Sequence, residues 1–246
     1  MKTAYFRFYA ELNDFLDKKL RAKTFPYAFW GNPAIKDAIE AIGVPHPEVD
    51  LILVNGKSVD FAYRLQEGDR VSVYPKFELL NIEEVTQLRP KPMRQPRFIA
   101  DVNLGRLARK LRLLGFDTLY RNDYLDEEII RIAIEEHRII LTRDAELLKN
   151  HRVTHGYWLR STLSEAQIKE VVEKFDLYSL IKAFSRCMVC NGLLNPVAKA
   201  EIVHLLKPQT RHNFDRFFRC RDCRKIYWQG THYQRMLSFI SDLQNR

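Results

Sequence analysis

The chain has 246 residues, of which 46% are hydrophobic and 29% charged, a composition typical of one or two folded globular domains. With 9 glycines and 10 prolines, it is neither a fibrous nor a largely disordered chain. No window approaches about 18 uncharged apolar residues, so we expect no transmembrane helix. The amino-terminal segment has early acidic residues and no apolar core, so we expect a cytoplasmic protein without a secretory signal.

The positive charge is concentrated at the carboxyl end of the chain. The formal net charge is +9, and residues 181–246 hold 12 basic against 4 acidic side chains. Residues 1–93 carry 13 of each sign, and residues 94–180 are nearly balanced. A basic carboxyl-terminal module favours a polyanionic partner, most often a nucleic acid, over a surface that is basic only for solubility.

The first 85 residues predict a small α/β domain. Strands are expected at Ala4–Tyr9, Asp50–Val54, Ser58–Phe61 and Arg70–Tyr74, and helices at Glu11–Leu20 and from Asn32-Pro33 to Gly43. Asn32 is the expected N-cap of the second helix, with Pro33 at its first position and Gly43 at its end. Asn55-Gly56 between two apolar runs predicts a β-hairpin.

That order, ending in VNGKSVDFAYRLQEGDRVSVYP, resembles the ubiquitin-like β-grasp of the sulfur-carrier group that includes the small subunit of molybdopterin synthase. Sulfur carriers end in a Gly-Gly tail, whereas this chain continues from Pro75 into KFELLNIEEV. We therefore interpret residues 1–85 as a docking or stabilising module, through which a protein partner would bind. Thr86–Arg97, rich in proline and basic residues, predicts an extended, semi-rigid linker.

A second α/β domain is predicted over residues 98–180. Strands are expected at Phe98–Asp101, Thr118–Tyr120, Arg138–Thr142 and Tyr157–Leu159, alternating with helices at Asn103–Leu114, Asp126–His137 and Ala145–Lys149 and from Ser164. Ser164 and Gln167 form a potential capping box. Such alternation indicates a parallel sheet with helices on its faces, and ligands of such sheets bind at the carboxyl ends of the strands.

Four cysteines lie in the last quarter of the chain, as Cys187-x-x-Cys190 and Cys220-x-x-Cys223. Two such pairs supply the four thiolates of a tetrahedral, structural Zn²⁺ site. The 29 intervening residues exceed the common spacing and suggest an inserted hairpin. Two disulfides are the alternative, which a cytoplasmic location disfavours. Residues 181–246 are thus interpreted as a zinc ribbon followed by a helix over about Tyr233–Leu243.

Basic and aromatic side chains alternate around the second cysteine pair. Cations contact phosphates and aromatic faces stack on bases, which together are typical of single-stranded nucleic acid binding. For Phe217 and Phe218 we prefer a place in the module's core. Tyr227 and Trp228 remain open between core packing and base stacking.

Three aspartates follow or precede successive elements of the second domain: Asp101 ends its first strand, Asp126 begins a helix, and Asp144 follows its third strand. Clustered carboxylates need cations for neutralisation, and their hard oxygens suit Mg²⁺ or Mn²⁺. Such a cluster is typical of metal-assisted phosphodiester hydrolysis. Each aspartate taken alone also fits an ordinary turn or N-cap.

The helix after Asp101 has two faces. Its leucines share one arc of a helical wheel, and Arg106, Arg109, Lys110 and Arg112 occupy the opposite arc. A basic arc is usually a solvated face, but here it starts close enough to Asp101 for Arg106 to contact a scissile phosphate.

The segments FIADVNLGRLARKLRLLGFDTLYRND, IILTRDAELLK, RCMVCNGLL and FFRCRDCRKIYWQGTHYQRM together resemble the PIN-like RNase domain first described at the carboxyl terminus of the Mut-7 exonuclease. Bacterial and archaeal members often carry a preceding ubiquitin-like module. The resemblance implies a PIN-like nuclease fold over residues 98–180, which binds Mg²⁺ or Mn²⁺ at acidic residues and cuts single-stranded RNA, with a fused zinc ribbon.

The resemblance also assigns site residues. Asp101 matches the family's strand-ending aspartate, Asp144 matches that of its Thr-Arg-Asp motif, and Asp126 is preferred to Asp123 as the third acid. A fourth acid of related toxins would fall near Ser161–Ser164, where this chain has only Ser, Thr and Leu. Substrate contacts are expected at Asn103, Arg106, Arg109, Thr142, Arg143, Arg219, Arg221, Arg224, Lys225, Tyr227 and Trp228.

Three functions follow from these patterns. The first is a metal-dependent ribonuclease in which Asp101, Asp126 and Asp144 hold Mg²⁺ or Mn²⁺ and the zinc ribbon holds cellular RNA, single-stranded or structured. The second is a non-catalytic RNA-binding protein that relies on the ribbon. The third is a toxin ribonuclease of the same fold, which the three appended modules disfavour.

Overall fold

The computed structural model describes residues 1–75 and 96–244. Two compact units make up the chain: unit 1 comprises Met1–Arg94 and Asp126–Trp158, and unit 2 comprises Gln95–Leu125 and Leu159–Arg246. Most of the expected linker Thr86–Arg97, and the segment 76–85 before it, lie outside the described residues. Within the described ranges, no helix combines the length and the apolarity that a membrane crossing requires.

Unit 1 begins with a five-stranded sheet and one helix. Its elements are β1 (Lys2–Phe8), β2 (Phe25–Phe29), α1 (Ile35–Ile42), β3 (Val49–Val54), β4 (Lys57–Val59) and β5 (Arg70–Pro75). The strand order is β2-β1-β5-β3-β4, with β1 and β5 parallel and the other neighbours antiparallel. Alternate strand residues, such as Phe6, Ile52 and Val73, are fully buried in a core that includes Ile35 and Ile39 of α1.

The predicted turns of this domain are confirmed. Asn55-Gly56 joins β3 to β4, with both residues at positive φ, and Gly43 ends α1 at a φ of +120°. The helix start differs from prediction, because α1 begins at Ile35 without a side-chain cap. The amide oxygen of Asn32 accepts a hydrogen bond from the Lys2 ammonium group instead.

The helix predicted over Glu11–Leu20 is wrong. A short 3-10 turn over Ala10–Phe15 stands there, because the Asn13 side chain binds the backbone in place of a helical ladder. Its amide nitrogen donates to the carbonyls of Phe8 and Ala10, and its amide oxygen accepts from the N–H of Ala22.

Unit 2 contributes β6 (Phe98–Ala100), α2 (Gly105–Leu113) and β7 (Thr118–Leu119) before the chain returns to unit 1. The rest of unit 1 contains α3 (Asp126–Glu135), β8 (Ile139–Thr142), α4 (Ala145–Leu148) and β9 (Gly156–Trp158). Strands β8 and β9 are parallel, with Thr142 opposite Trp158. Every residue of β8 is buried, which is typical of parallel strands covered on both faces.

Unit 2 starts with β6 (Phe98–Ala100), a 3-10 turn, α2 (Gly105–Leu113) and β7 (Thr118–Leu119), and resumes with α5 (Ser164–Lys174). Strands β6 and β7 are parallel, and α2 packs against α5. The predicted capping box at the start of α5 is wrong: the Gln167 amide donates to the Ser161 carbonyl, and the Ser164 hydroxyl donates to Glu165.

The carboxyl-terminal part of unit 2 is a three-stranded antiparallel sheet in the order β10-β11-β12, followed by a helix. Its elements are β10 (Leu194–Val197), α6 (Lys199–Ile202), α7 (Pro208–Asn213), β11 (Phe217–Cys220), β12 (Ile226–Trp228) and α8 (Thr231–Gln244). The segment between the cysteine pairs contains the antiparallel pair β10 and β11, as the expected inserted hairpin requires, but α6, a 3-10 turn over Val203–Leu205 and α7 connect the two strands in place of a tight turn. Phe217 is buried with Ile202 and Leu206, so its core assignment is confirmed.

The backbone packs closely around Gly115, which follows the end of α2, and leaves no room for a larger side chain. An alanine there would adopt a φ of +96° and bring its Cβ within 2.3 Å of the Lys182 carbonyl oxygen. We expect Gly115→Ala to lower the free energy of unfolding by about 2–4 kcal/mol, measured by chemical denaturation.

Gly68→Ala is the matched control for Gly115→Ala. Gly68 also has a positive φ, of +80°, but its added Cβ meets no described atom within 4 Å. This control isolates the conformational strain, which costs about 1–2 kcal/mol. Equal losses for the two variants would contradict the expected steric conflict with Lys182.

Candidate metal centre and acidic residues

The four cysteine thiols converge at one point of unit 2. All four sulfur atoms lie within 4.8 Å of one another, with Cys187 Sγ 3.6 Å from Cys223 Sγ and Cys190 Sγ 3.4 Å from Cys220 Sγ. A disulfide would bring two sulfurs to about 2.05 Å, whereas sulfurs on one tetrahedral zinc lie about 3.8 Å apart. The cysteines are all free thiols, so the geometry and the donor atoms fit a structural Zn²⁺ ion.

The two cysteine knuckles have the same backbone geometry. In the first, the N–H of Asn191 donates to the Cys187 carbonyl; in the second, the N–H of Arg224 donates to the Cys220 carbonyl. Asn191 and Arg224 both have a positive φ, of 74° and 62°. Because both knuckles turn back in this way, each presents its two thiols to the same point.

Hydrogen bonds favour the thiolate form of Cys187. Burial raises the pKa of this thiol, but the Tyr227 hydroxyl, 3.0 Å from the sulfur, and the backbone N–H groups of Cys190 and Val189 outweigh burial and lower its pKa to about 7. Burial and the bond to Cys187 raise the pKa of Tyr227, so its hydroxyl remains a donor. The thiolate is the form that binds metal.

Tyr227, expected as a possible base-stacking residue, therefore supports the cysteine cluster. Its neighbour Trp228 is 40% exposed, and its ring is available for stacking. RNA contacts by either residue remain predictions. Strand alternation is the sequence signal that could have distinguished Tyr227 from Trp228, because the side chains of adjacent residues in β12 point to opposite faces of the sheet.

The first knuckle is anchored to α2 by a buried arginine. Arg112 is 3% exposed; its Nε donates to the Thr118 carbonyl at 2.8 Å, and its Nη1 donates to the Val189 carbonyl at 2.8 Å. Burial lowers the pKa of Arg112, and the nearby thiols of Cys190 and Cys187 act in the opposite direction. The predicted exposed basic arc of α2 is therefore wrong at Arg112.

The burial of Arg112 could have been predicted from its position on the helical wheel. It lies about 40° from the buried Ala108, at the margin of the apolar arc. The remaining cations of the arc differ in their surroundings: Arg106 and Arg109 are exposed, whereas Lys110 is bound to Glu165. The two predicted phosphate contacts of α2, Arg106 and Arg109, are thus both exposed.

Asn191 and Asp117 complete the anchor. The Asn191 side chain accepts from the Thr118 N–H at 3.0 Å and donates to Asp117 Oδ1 at 2.8 Å. Arg186 lies within 3.4 Å of Asp117 Oδ2 and donates to the Asn191 carbonyl. This polar network joins β7 and the first knuckle, and the sequence motifs do not reveal it.

A polar cleft of about 180 Å³ lies on the ribbon beside the second knuckle. It is lined by Asn195, Pro196, Val197, Glu201, Arg219, Cys220, Arg221 and Arg224. Three of the predicted RNA-contacting cations, Arg219, Arg221 and Arg224, are thus brought together. Lys225 is exposed on the same knuckle but does not line the cleft.

The predicted acidic residues occupy the ends of elements, in both units. In unit 2, Asp101 follows β6, is 7% exposed, and accepts from the Val102 N–H through Oδ1 at 2.6 Å. In unit 1, Asp144 is exposed just after β8 and accepts from the Glu146 N–H through Oδ1 at 2.9 Å. Asp126 is exposed as the first residue of α3.

The neighbours of these acids also have defined partners. Asp123 is paired with Arg121 at 2.7 Å, and this hydrogen bond holds its carboxyl pKa below the ordinary value. Thr142 is fully buried, and its hydroxyl accepts from the Asp144 N–H at 2.9 Å. Asn103 and Arg143 are exposed. The substrate contacts expected of Asn103, Thr142 and Arg143 remain predictions.

Comparison with known proteins identifies two matching family models. The Mut7-C RNAse domain matches residues 96–240, and the Mut7-C ubiquitin domain matches residues 1–81. A search of curated proteins finds no match. The crystal structure of H. volcanii small archaeal modifier protein 1 aligns with 31% of this chain and 100% of its own, at 15% identity and a TM-score of 0.26.

The zinc assignment is tested by metal content. We expect about one zinc per purified chain, and loss of both zinc and ribbon structure in Cys220→Ser, because the closed four-thiolate site couples metal binding to folding. Elemental analysis and circular dichroism measure the two effects.

Asp222→Asn, which changes an exposed acid of the same knuckle and leaves the four thiols intact, is the control and should retain zinc. Wild-type protein that contains no zinc, or that contains Cys–Cys bridges, would contradict the assignment.

Proposed function

Because this chain belongs to the Mut7-C RNAse domain family, we propose that it is a divalent-metal-dependent ribonuclease that hydrolyses RNA phosphodiester bonds. The family itself indicates an RNA-related nuclease function. The observation that carries the finer proposal is the position of two aspartates at the ends of buried parallel strands: Asp101 directly follows β6, and Asp144 lies two residues after the end of β8. A backbone N–H group orients each carboxylate.

The donor chemistry of the acidic residues fits Mg²⁺ or Mn²⁺. Carboxylate oxygens are the ligands these hard cations prefer, and Asp101, Asp126 and Asp144 would hold them. When bound, such a cation activates water and neutralises charge on the phosphate. The third acid of the proposal is Asp126, the first residue of α3.

The chain's own residues would position the RNA. The exposed Arg106 and Arg109 lie on α2, a few residues after Asp101 in the chain, and would bind phosphates. Arg143 adjoins Asp144 and would contact the same backbone. On the ribbon, the cleft lined by Arg219, Arg221 and Arg224 would hold a further phosphate, with Trp228 available for stacking on a base.

Replacing the proposed metal-binding aspartates by asparagine, which removes their negative charge, tests the ribonuclease proposal. Asn retains the oxygen that accepts the N–H of Val102 or Glu146, so Asp101→Asn and Asp144→Asn should fold and bind RNA normally. We expect each to lower Mn²⁺-dependent cleavage of labelled cellular RNA by at least about 100-fold. Asp126→Asn should lose less if Asp123 or Glu127 can substitute.

Asp37→Asn, on the exposed side of α1, is the control and should cleave as wild type does. Cleavage that persists in EDTA or in Asp101→Asn would contradict the proposal. A wild-type protein that binds RNA without cutting it would identify a non-catalytic RNA-binding protein. Lethal expression in cells that lack a partner would identify a toxin.

The ribbon's contribution is tested by salt dependence. Replacing Arg219, Arg221 and Arg224 by glutamine should weaken RNA binding and flatten the slope of log K against log salt by about 2, because fewer counterions are released. Fluorescence anisotropy over a salt series measures the slope.

The control triple replaces Lys199, Lys207 and Arg211, which belong to the same module but do not line the cleft. Both triples remove three positive charges, so only the location of the charges differs. Equal flattening by the two triples would mean that RNA is held by net charge and not by the cleft.

A further inference from the structure

Trp158 contacts two parts of unit 1 at once. Its backbone N–H donates to Glu48 Oε1 at 2.5 Å, and its indole ring lies against the ring of Phe15, with centroids 4.9 Å apart. On the other side, its indole Nε1–H donates to the Arg143 carbonyl at 3.0 Å. The residue therefore links the β-grasp domain to the turn that carries Asp144.

The β-grasp side of this link is firmly anchored. Glu48 is 2% exposed, at the end of a 3-10 turn over His46–Glu48. A buried carboxylate requires donors, and its hydrogen bonds are stronger than those between neutral groups. In the same turn, His46 Nε2 donates to the Val153 carbonyl at 2.6 Å, and Nδ1 lies 2.5 Å from Glu40 Oε1.

On the Asp144 side, three hydrogen bonds among the described residues fix a short turn. The Asp144 N–H donates to the buried Thr142 hydroxyl, and the Asp144 carboxylate accepts from the Glu146 N–H. The third point is the Arg143 carbonyl, bound by Trp158. Of the three, this bond alone comes from β9, which follows the turn in the chain, and β9 is itself bound to Glu48 of the β-grasp domain.

We propose that Trp158 is a positioning residue for Asp144, and that the β-grasp domain supports the nuclease site from within the same chain by holding Trp158 through Glu48 and Phe15. The inference rests on the proposed ribonuclease function, in which Asp144 is a ligand of the divalent cation. Misplacement of such a group by a fraction of an ångström is costly, because ligand and substrate geometry are narrowly defined.

Trp158→Phe is the decisive variant. Phenylalanine retains a ring to pack on Phe15 and the backbone N–H that binds Glu48, but it cannot donate to the Arg143 carbonyl. We expect hydrogen exchange at residues 143–148 to accelerate by about three- to tenfold, as the loss of one hydrogen bond predicts. We expect kcat to fall by a similar factor, KM for RNA to stay unchanged, and half-maximal cleavage to require more Mn²⁺.

Trp30→Phe is the matched control. Trp30 follows β2, is 77% exposed and makes no described contact with the Asp144 turn. This variant should leave the exchange rates, kcat and the Mn²⁺ requirement as in wild type. Wild-type values in Trp158→Phe as well would overturn the proposal. So would uniformly faster exchange across unit 1 with a lowered Tm, because that pattern indicates general destabilisation.

Glu48→Gln tests the hydrogen bond between Glu48 and the Trp158 N–H group. It is also the alternative test of the proposal if Trp158→Phe does not fold. The amide oxygen can still accept from the Trp158 N–H, but more weakly than the carboxylate. Faster exchange at 143–148 is expected here too, and unchanged exchange would overturn the proposal. If the wild type shows no Mn²⁺-dependent cleavage, the ribonuclease function fails, and the exchange measurements still decide the positioning role.

Discussion

In unit 2, a buried guanidinium joins a helix, a strand and the first cysteine knuckle. Arg112 projects from α2, and its hydrogen bonds end on backbone carbonyls of β7 and of the first cysteine knuckle. A buried charge is tolerated only when polar groups surround it, and here carbonyl dipoles and the nearby thiols of Cys187 and Cys190 provide that environment. The ribbon is consequently attached to α2, the helix that carries Arg106 and Arg109. Asn191 and Asp117 extend this polar network between the first knuckle and β7.

The β-grasp domain has a comparable attachment in unit 1. Its 3-10 turn at His46–Glu48 bonds to the carbonyl of Val153 and to the N–H of Trp158, so it packs against the α/β segment 126–158 as part of one compact body.

Local sequence signals predicted most of the strands and helices of the described residues and the four cysteines that converge. Asn55-Gly56 defined a hairpin because its two residues adopt positive φ with little strain, and the alternation of apolar runs defined the parallel strand pairs. The two Cys-x-x-Cys motifs brought four thiols together because each knuckle geometry is encoded within a few consecutive residues. The match to the Mut7-C families agrees with the motifs that first indicated a nuclease with a ubiquitin-like module.

The sequence by itself determined which residues are apolar, where the turns fall and which ligands are available to zinc. Only the tertiary structure decided the partners of the polar side chains: Arg112 on a knuckle 76 residues away, Tyr227 on the Cys187 sulfur, and Trp158 between Glu48 and Arg143. Asn13 and Asn32 likewise form hydrogen bonds with partners that no local rule predicts. Periodicity and turn propensity are local properties of the chain, whereas a buried hydrogen bond forms with whichever donor or acceptor the completed fold brings within reach.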